Sequence, residues 1–336
     1  MIVFDNNFIF LISTILSSTV SFFSVYLLMP KAIKYLISKG QVVDDYHKPE
    51  KPRIPRPAGP VLIIGVTISL LLLYLFTLNL EIIAILFTTI IAFFVGYIDD
   101  KKVMPGWFKP VALIAAAMPI ILLHAYDTNL NLIFGHAFIP LLYIPLILIA
   151  IPIVGNTINS IDVLNGVASG YLLIACIPLI ISIYIFGNME ILVAALSLFF
   201  VTLALYKYHK FPSKIFPGDS GALTLGGIYG AIAIVGQVEV IAAIALGPAI
   251  LNSFLFLSSM KRIVEHREIK EKPVELTDDF KLKATSNKKA SITLVRLILA
   301  GGKPLSEKEI GIVIFKLTIF SGILAIITAF LMGVSI

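Results

Sequence analysis

The sequence predicts an all-α integral membrane protein of about ten transmembrane helices. Three observations carry that fold class. Hydrophobic residues make up 58% of the 336-residue chain and charged residues only 14%, against about 25% charged in soluble domains. Mean hydropathy is +0.99. Apolar runs of spanning length recur along the chain, and Lys and Arg gather in four of the connections between them, each separated from the next by connections that hold neither.

The first run, Phe8 to Met29, is 22 residues, or about 33 Å of helix, enough to cross a bilayer. Residues 1–7 hold Asp5 and no Lys or Arg. Lacking the basic flank of a cleavable signal, the run reads as a span. Further spans are predicted at 58–78, 81–98, 110–125, 138–154, 166–187, 190–206, 221–237, 239–259 and 310–333. The shorter ones suit helices that end at a cavity rather than among headgroups. No hydrophilic stretch is long enough for a separate soluble domain, so residues 1–336 read as one polytopic domain. Its longest loop is 260–309.

The loops at 30–57, 99–109, 207–220 and 260–309 hold 25 of the 26 Lys and Arg. Lys316 is the remaining one. The alternate connections, near 79–80, 126–137, 188–189 and 238, hold none. Ten spans therefore put every basic loop on one side. The positive-inside rule makes that side the cytoplasm and places both termini outside. The net charge of +6 is thus explained by topology, and no nucleic-acid partner is expected. Cys176 is the lone cysteine, which excludes a disulfide framework or a thiolate metal site.

Between two apolar runs lies Gly155-Asn156-Thr157-Ile158-Asn159-Ser160-Ile161-Asp162-Val163-Leu164-Asn165-Gly166. Asn156, Asn159, Asp162 and Asn165 recur every three residues, which on a helix keeps side chains in one drifting stripe. Polar groups at membrane depth are costly and face a cavity, a ligand or each other. The plainer reading is a helix-packing seam.

Three more clusters fall on the same side. Asp99-Asp100 ends the third span, where paired carboxylates can supply a metal ligand and a general base or nucleophile, or merely form a solvated cap. Lys101, Lys102 and Lys109 are nearby counter-charges. Phe216-Pro217-Gly218-Asp219-Ser220-Gly221 precedes a helix whose N-terminus favours phosphate, or is a simple Gly-Asp turn. Asp219 suits Mg²⁺, which prefers hard oxygens shared with substrate phosphates, and Phe216 could stack on a base. The proline-stiffened segment His47 to Gly59 carries Lys51 and Arg56, placed to meet a diphosphate or lipid headgroups. His266-Arg267 opens the longest loop. There is no Walker A sequence, no His-Glu-x-x-His and no Gly-x-Ser-x-Gly, which argues against a P-loop pump, a zincin and a serine lipase.

Together and in this order, the clusters resemble the polyprenyl-phosphate N-acetylhexosamine-1-phosphate transferases, over nearly the whole chain. That family includes the eukaryotic dolichyl-phosphate GlcNAc-1-phosphate transferase and the bacterial phospho-MurNAc-pentapeptide transferase. The resemblance implies a cytoplasmic active-site cleft with Asp99 and Asp100 catalytic. It implies Mg²⁺, or Mn²⁺ in its place, on Asp219 and Asn159. Asn156, Asp162, Asn165, Gly166, Phe216, His266 and Arg267 would bind the nucleotide-sugar, and Lys109, Lys51 and Arg56 the phosphates. Implied partners are UDP-GlcNAc, a polyprenyl or dolichyl phosphate, membrane lipid and a second copy of the chain. The implied location is the plasma membrane of a prokaryote or the ER of a eukaryote, with the 260–309 loop contributing to the sugar-nucleotide site.

The sequence also departs from the family pattern. Asp162 follows the bacterial form and Asn165 the eukaryotic one, while Val163 and Val167-Ala168 depart from the bacterial Asp-Gly-x-Asp-Gly-Leu. No His-rich signature is present in the last loop. This favours GlcNAc-1-phosphate as the transferred group. The rival reading is a secondary transporter of a nucleotide-sugar or lipid-linked anion, built on broken helices.

Overall fold

The structure, a computed structural model, describes residues 6–261, 269 and 271–335. Helix α1 (Asn6–Ser38) leads into a small hairpin, β1 (Val42–Asp44) and β2 (Arg53–Pro55). Helices α2 (Gly59–Thr77), α3 (Leu80–Lys101) and α4 (Phe108–Leu122) follow. A second hairpin, β3 (Asn129–Leu132) and β4 (Gly135–Phe138), precedes α5 (Pro140–Ile161), α6 (Val167–Ile185), α7 (Leu192–His209) and α8 (Gly218–Val235). The chain continues through α9 (Glu239–Ala245), α10 (Gly247–Met260), a third hairpin of β5 (Val274–Leu276) and β6 (Leu282–Ala284), α11 (Leu294–Ile298) and α12 (Glu307–Ser335).

Among the described residues, eight helices are long and apolar enough to cross a membrane, and a ninth span is counted if α9 and α10 are one. The chain is an integral membrane protein. The differences from the sequence expectation have local causes. Helix α1 runs nine residues past Met29, through Pro30, because nothing stops it before Gly40. There a left-handed glycine (φ +65°) closes the helix, with Gln41 N–H donating to Leu36 C=O at 2.9 Å. Helix α4 has only 15 residues, about 22 Å. The expected span at 239–259 is broken: α9 and α10 meet at 71°, where Gly247-Pro248 removes a backbone donor.

Helix α8 is buried along its whole length, packed against α3 and α5. Small residues permit this. A Cβ on Gly96 of α3 would stand 2.4 Å from the carbonyl oxygen of Asp219, so only glycine lets α3 lie against the start of α8.

The connections sort into two ends. At one end, Asn131 of β3 donates to Gln237 C=O, Asn188 N–H donates to Gly236 C=O, and Asn79 donates to Glu190. At the other end, the loops after α1, α3, α5 and α7 meet one another through the bonds described next. The basic loops after α1, α3 and α7 thus share an end with the α5–α6 turn, which holds no Lys or Arg of its own.

Candidate active site

Five separate segments bring charge to one place. Asp99 and Asp100 ride the last turn of α3, Lys109 the first turn of α4, Asn159 the last turn of α5, and Asp219 the first turn of α8. Arg56 follows β2. Lys109 Nζ lies 3.1 Å from Asp99 Oδ2 and 2.9 Å from Asp219 Oδ1. Arg56 Nη2 lies 2.5 Å from Asp219 Oδ2 and 3.2 Å from Asp100 Oδ1. Asn159 Nδ2 donates to Asp219 Oδ1 at 3.1 Å. Asp99 is fully buried and also accepts the Met104 N–H at 2.9 Å. Asp219 and Lys109 are buried as well.

Asp100 has a defined duty. Its carboxylate accepts the backbone N–H groups of Asp219 (2.9 Å) and Ser220 (2.8 Å) and the Ser220 hydroxyl (2.6 Å). These are donors of the first turn of α8, which that helix cannot satisfy internally. An anion at a helix N-terminus is also favoured by the macrodipole. Gly218 makes room for it: its φ is +73°, and a Cβ there would sit 2.9 Å from both Asp100 carboxylate oxygens.

These groups border a cavity of about 350 Å³ that Tyr46, His47, Arg56, Lys109, Asn159, Asp162, His209, Phe216 and Asp219 line. That size suits a small-molecule site. Asp162 caps the end of α5. Burial, with Asp219 and Asp100 adding to it and Arg56 opposing, pushes its carboxyl up to about 7. A second cavity of about 170 Å³ shares His47, Ser160, Val163 and Leu164 with the first and is closed by Pro273, Val274, Leu282, Thr293 and Val295. The long loop therefore lines a cavity that adjoins the first.

Asn165 lines the larger cavity and forms a hub there. Its Nδ2 donates to Asp45 Oδ2 (3.1 Å) and Glu307 Oε1 (2.6 Å). Its Oδ1 accepts from Ser213 N–H (2.7 Å) and Lys48 Nζ (3.0 Å). Four bonds exhaust an amide. The hub ties the β1–β2 hairpin, the α5–α6 turn, the α7–α8 loop and the start of α12.

Two groups could hold a divalent cation. Asp219 and Asn159 offer hard oxygens, once the Asn159 amide turns its Oδ1 inward. Among the described residues around them, four carboxyl groups, Asp99, Asp100, Asp162 and Asp219, stand against two cations, Lys109 and Arg56. A divalent ion would balance that excess. Among the described residues, Asp45, His47 and Glu307 also bring ligand atoms within 4.8 Å of one another. There the Lys48 ammonium already pairs with Asp45 and lies 3.6 Å from Glu307 Oε2, so a metal would have to displace it. The first group fits a metal better.

Of the residues singled out from sequence, Asp99, Asp100, Lys109, Asn159, Asp219 and Arg56 come together, and Asp162, Asn165 and Phe216 line the adjoining cavity. Asn156 is turned elsewhere: it donates to Pro152 C=O at 2.8 Å and does not line the cavity. Lys51 is exposed, lies over the Tyr46 ring and is likewise not in the lining. Gly166, at φ +77°, presses the α5–α6 turn against Lys210. His266 and Arg267 lie outside the described residues. Asp45, His209 and Glu307 escaped the sequence reading, because each meets a partner distant in the chain, whereas Ser220 was noted beside Asp219. Only His47-Lys48, within the noted proline-rich segment, offered a signal.

Comparison with known proteins agrees. Residues 82–237 match the family model "Glycosyl transferase family 4". The chain is 31% identical over 242 residues to the phospho-N-acetylmuramoyl-pentapeptide-transferase of Staphylococcus haemolyticus, covering 66% of this chain and 75% of that one. It is 27% identical over 253 residues to a protein of Saccharolobus solfataricus provisionally named a UDP-N-acetylglucosamine–dolichyl-phosphate N-acetylglucosaminephosphotransferase, covering 74% and 79%. A provisionally named glycosyltransferase of Methanocaldococcus jannaschii matches at 27% over 311 residues, 89% and 90% of the two chains. With its helical membrane bundle and this convergence of carboxylates, the chain belongs to glycosyl transferase family 4.

Proposed function

We propose that the protein transfers GlcNAc-1-phosphate from UDP-GlcNAc to a polyprenyl phosphate of the dolichyl type, giving GlcNAc-diphosphate-polyprenol and UMP. A phosphate oxygen of the lipid forms a bond to the sugar-proximal phosphorus, and the bond from that phosphorus to the UMP oxygen breaks. The supporting observation is the meeting of Lys109, Arg56 and Asn159 on Asp219 beside a cavity that holds Phe216 and Asp162. The names of the Staphylococcus and Saccharolobus relatives point to the same reaction class.

Phosphoryl transfer needs positioning and charge neutralisation more than covalent help. A phosphate monoester has its second pKa near about 6, so the acceptor is already mostly a dianion at neutral pH. No general base is required. Asp99 and Asp100 accordingly act as holders: Asp99 fixes Lys109, and Asp100 fixes the turn carrying Asp219. Lys109 and Arg56 meet the diphosphate oxygens. Mg²⁺ on Asp219 and Asn159 would supply further neutralisation of the diphosphate. Phe216 offers its ring to the base and Asp162 an acceptor beside it.

The topology that goes with this reading has ten membrane passages, counting α4 and the broken α9–α10 as one each. Both ends lie outside and the site faces the cytoplasm, as the distribution of Lys and Arg supports. A transporter would place its polar groups near mid-membrane, whereas here they gather where helices end.

The test is purified protein in detergent with UDP-GlcNAc, polyprenyl phosphate and Mg²⁺. UMP release dependent on all three is expected, and Asp219→Ala should abolish it. Absence of release from folded protein would refute transferase activity. Offering UDP-GalNAc and UDP-MurNAc-pentapeptide in parallel decides the sugar.

A further inference from the structure

His209, the last residue of α7, is buried at 1% exposure and has no part in the charge cluster around Asp219. A buried imidazole is costly unless its nitrogens find partners. Ser169, in the first turn of α6 and fully buried, places its Oγ 2.9 Å from Nδ1. Nε2 faces Asp162 Oδ1 at 3.6 Å, an electrostatic contact longer than a hydrogen bond. With a carboxylate on that side, the favoured tautomer carries its proton on Nε2, and Ser169 donates to Nδ1. The ring also stands perpendicular to Phe216, centroids 6.3 Å apart. Both Asp162 and Phe216 line the large cavity, as His209 itself does.

The backbone around the ring is fixed. Ser213 Oγ donates to His209 C=O, and Ser213 N–H donates to Asn165 Oδ1. A Cβ on Gly166 would come within 2.8 Å of Lys210 Cα, which shows how tightly the α5–α6 turn sits on the end of α7. The imidazole therefore has one orientation, set from behind by Ser169.

We propose that His209 is a positioning residue for nucleotide recognition: anchored by Ser169, it orients the Asp162 carboxylate and backs the Phe216 ring, so that both meet the nucleotide half of the donor. This rests on the transferase reading only for the identity of the donor. Asp162 is the group that accepts a hydrogen bond from the ligand. His209 acts through Asp162 and Phe216.

The test is a double-mutant cycle read by calorimetric binding of UMP to the full-length protein in detergent near pH 8, with thermal unfolding alongside. His209→Leu should weaken UMP binding by about tenfold, the scale of one charged hydrogen bond. Most of that loss should vanish when Asp162 is already Asn. Ser169→Ala, which removes the anchor but keeps the imidazole, should give a smaller loss in the same direction and none in the Asp162→Asn background. Binding of GlcNAc-1-phosphate should not change in any variant. Additive losses across the cycle overturn the proposal, as does lowered thermal stability with unchanged UMP affinity. An equal loss for GlcNAc-1-phosphate overturns the assignment to the nucleotide half, and wild-type protein that does not bind UMP removes the inference altogether. Wild-type protein that binds UMP but transfers nothing would sink the transferase reading and leave this one standing.

Discussion

The carboxylate of Asp100 accepts the backbone N–H of Asp219 at 2.9 Å. Two residues that sequence alone assigns to chemistry are thus related as cap and capped helix. Asp100→Ala should leave the first turn of α8 unsatisfied and cost about 1–3 kcal/mol of stability, with activity falling in step. Asp100→Asn keeps an acceptor and should restore most of the stability. A stable but dead Asp100→Asn protein would instead assign the residue a direct chemical role.

Lys109 bridges two buried carboxylates, Asp99 and Asp219. Lys109→Met should be strongly destabilising, by about 3 kcal/mol or more, because the carboxylates remain without it. Adding Asp99→Asn should recover much of the melting temperature and none of the UMP release. Recovery of both would show that the ammonium has no part in the reaction.

Asn165 joins four segments through its amide. Asn165→Asp replaces a donor facing Asp45 and Glu307 by a third carboxylate. It should therefore harm stability more than Asn165→Ala, despite being the closer isostere. Thermal unfolding of the two variants decides it, and the reverse order would mean that the hub does not hold the loops together.

Asp162 offers a pH test. Its folded value of about 7 lies above the ordinary 3.8, so the folded state prefers the protonated acid. Its contribution to stability is intact below about pH 4 and is lost as pH rises through about 7. Asp162→Asn is neutral throughout. Its melting temperature relative to wild type should rise between about pH 4 and pH 7 and level off on either side. A difference that is flat with pH would place the carboxylate in a more polar setting.

Chelation should stop UMP release and added Mg²⁺ restore it. Asp219→Asn should raise the Mg²⁺ concentration needed, whereas Asp45→Asn should not. Mn²⁺ titration followed by paramagnetic resonance separates the two groups. A metal lost with Asp45 rather than Asp219 would move the centre to the Asp45, His47 and Glu307 cluster.

The bundle was legible because apolar length and Lys/Arg placement act locally along the chain. Short motifs likewise announced Asp99, Asp219, Asn159 and Phe216, since metal and phosphate chemistry restricts residue type and spacing. The break at Gly247-Pro248 was written in the sequence and read as one span, because the apolar run continues through it. Lys51 and Lys48 could not be ranked within the proline-stiffened segment. Only the fold turns Lys48 toward Asp45 and Asn165 and leaves Lys51 over Tyr46.

By itself, the sequence determined that this chain must live in a bilayer, which connections share a side, and which side chains are too polar to be filler. Tertiary structure decided what each does. Asp100 caps α8, Asn165 ties loops together, and His209 stands behind Asp162, since those duties depend on angles and separations between helices that no one-dimensional pattern encodes.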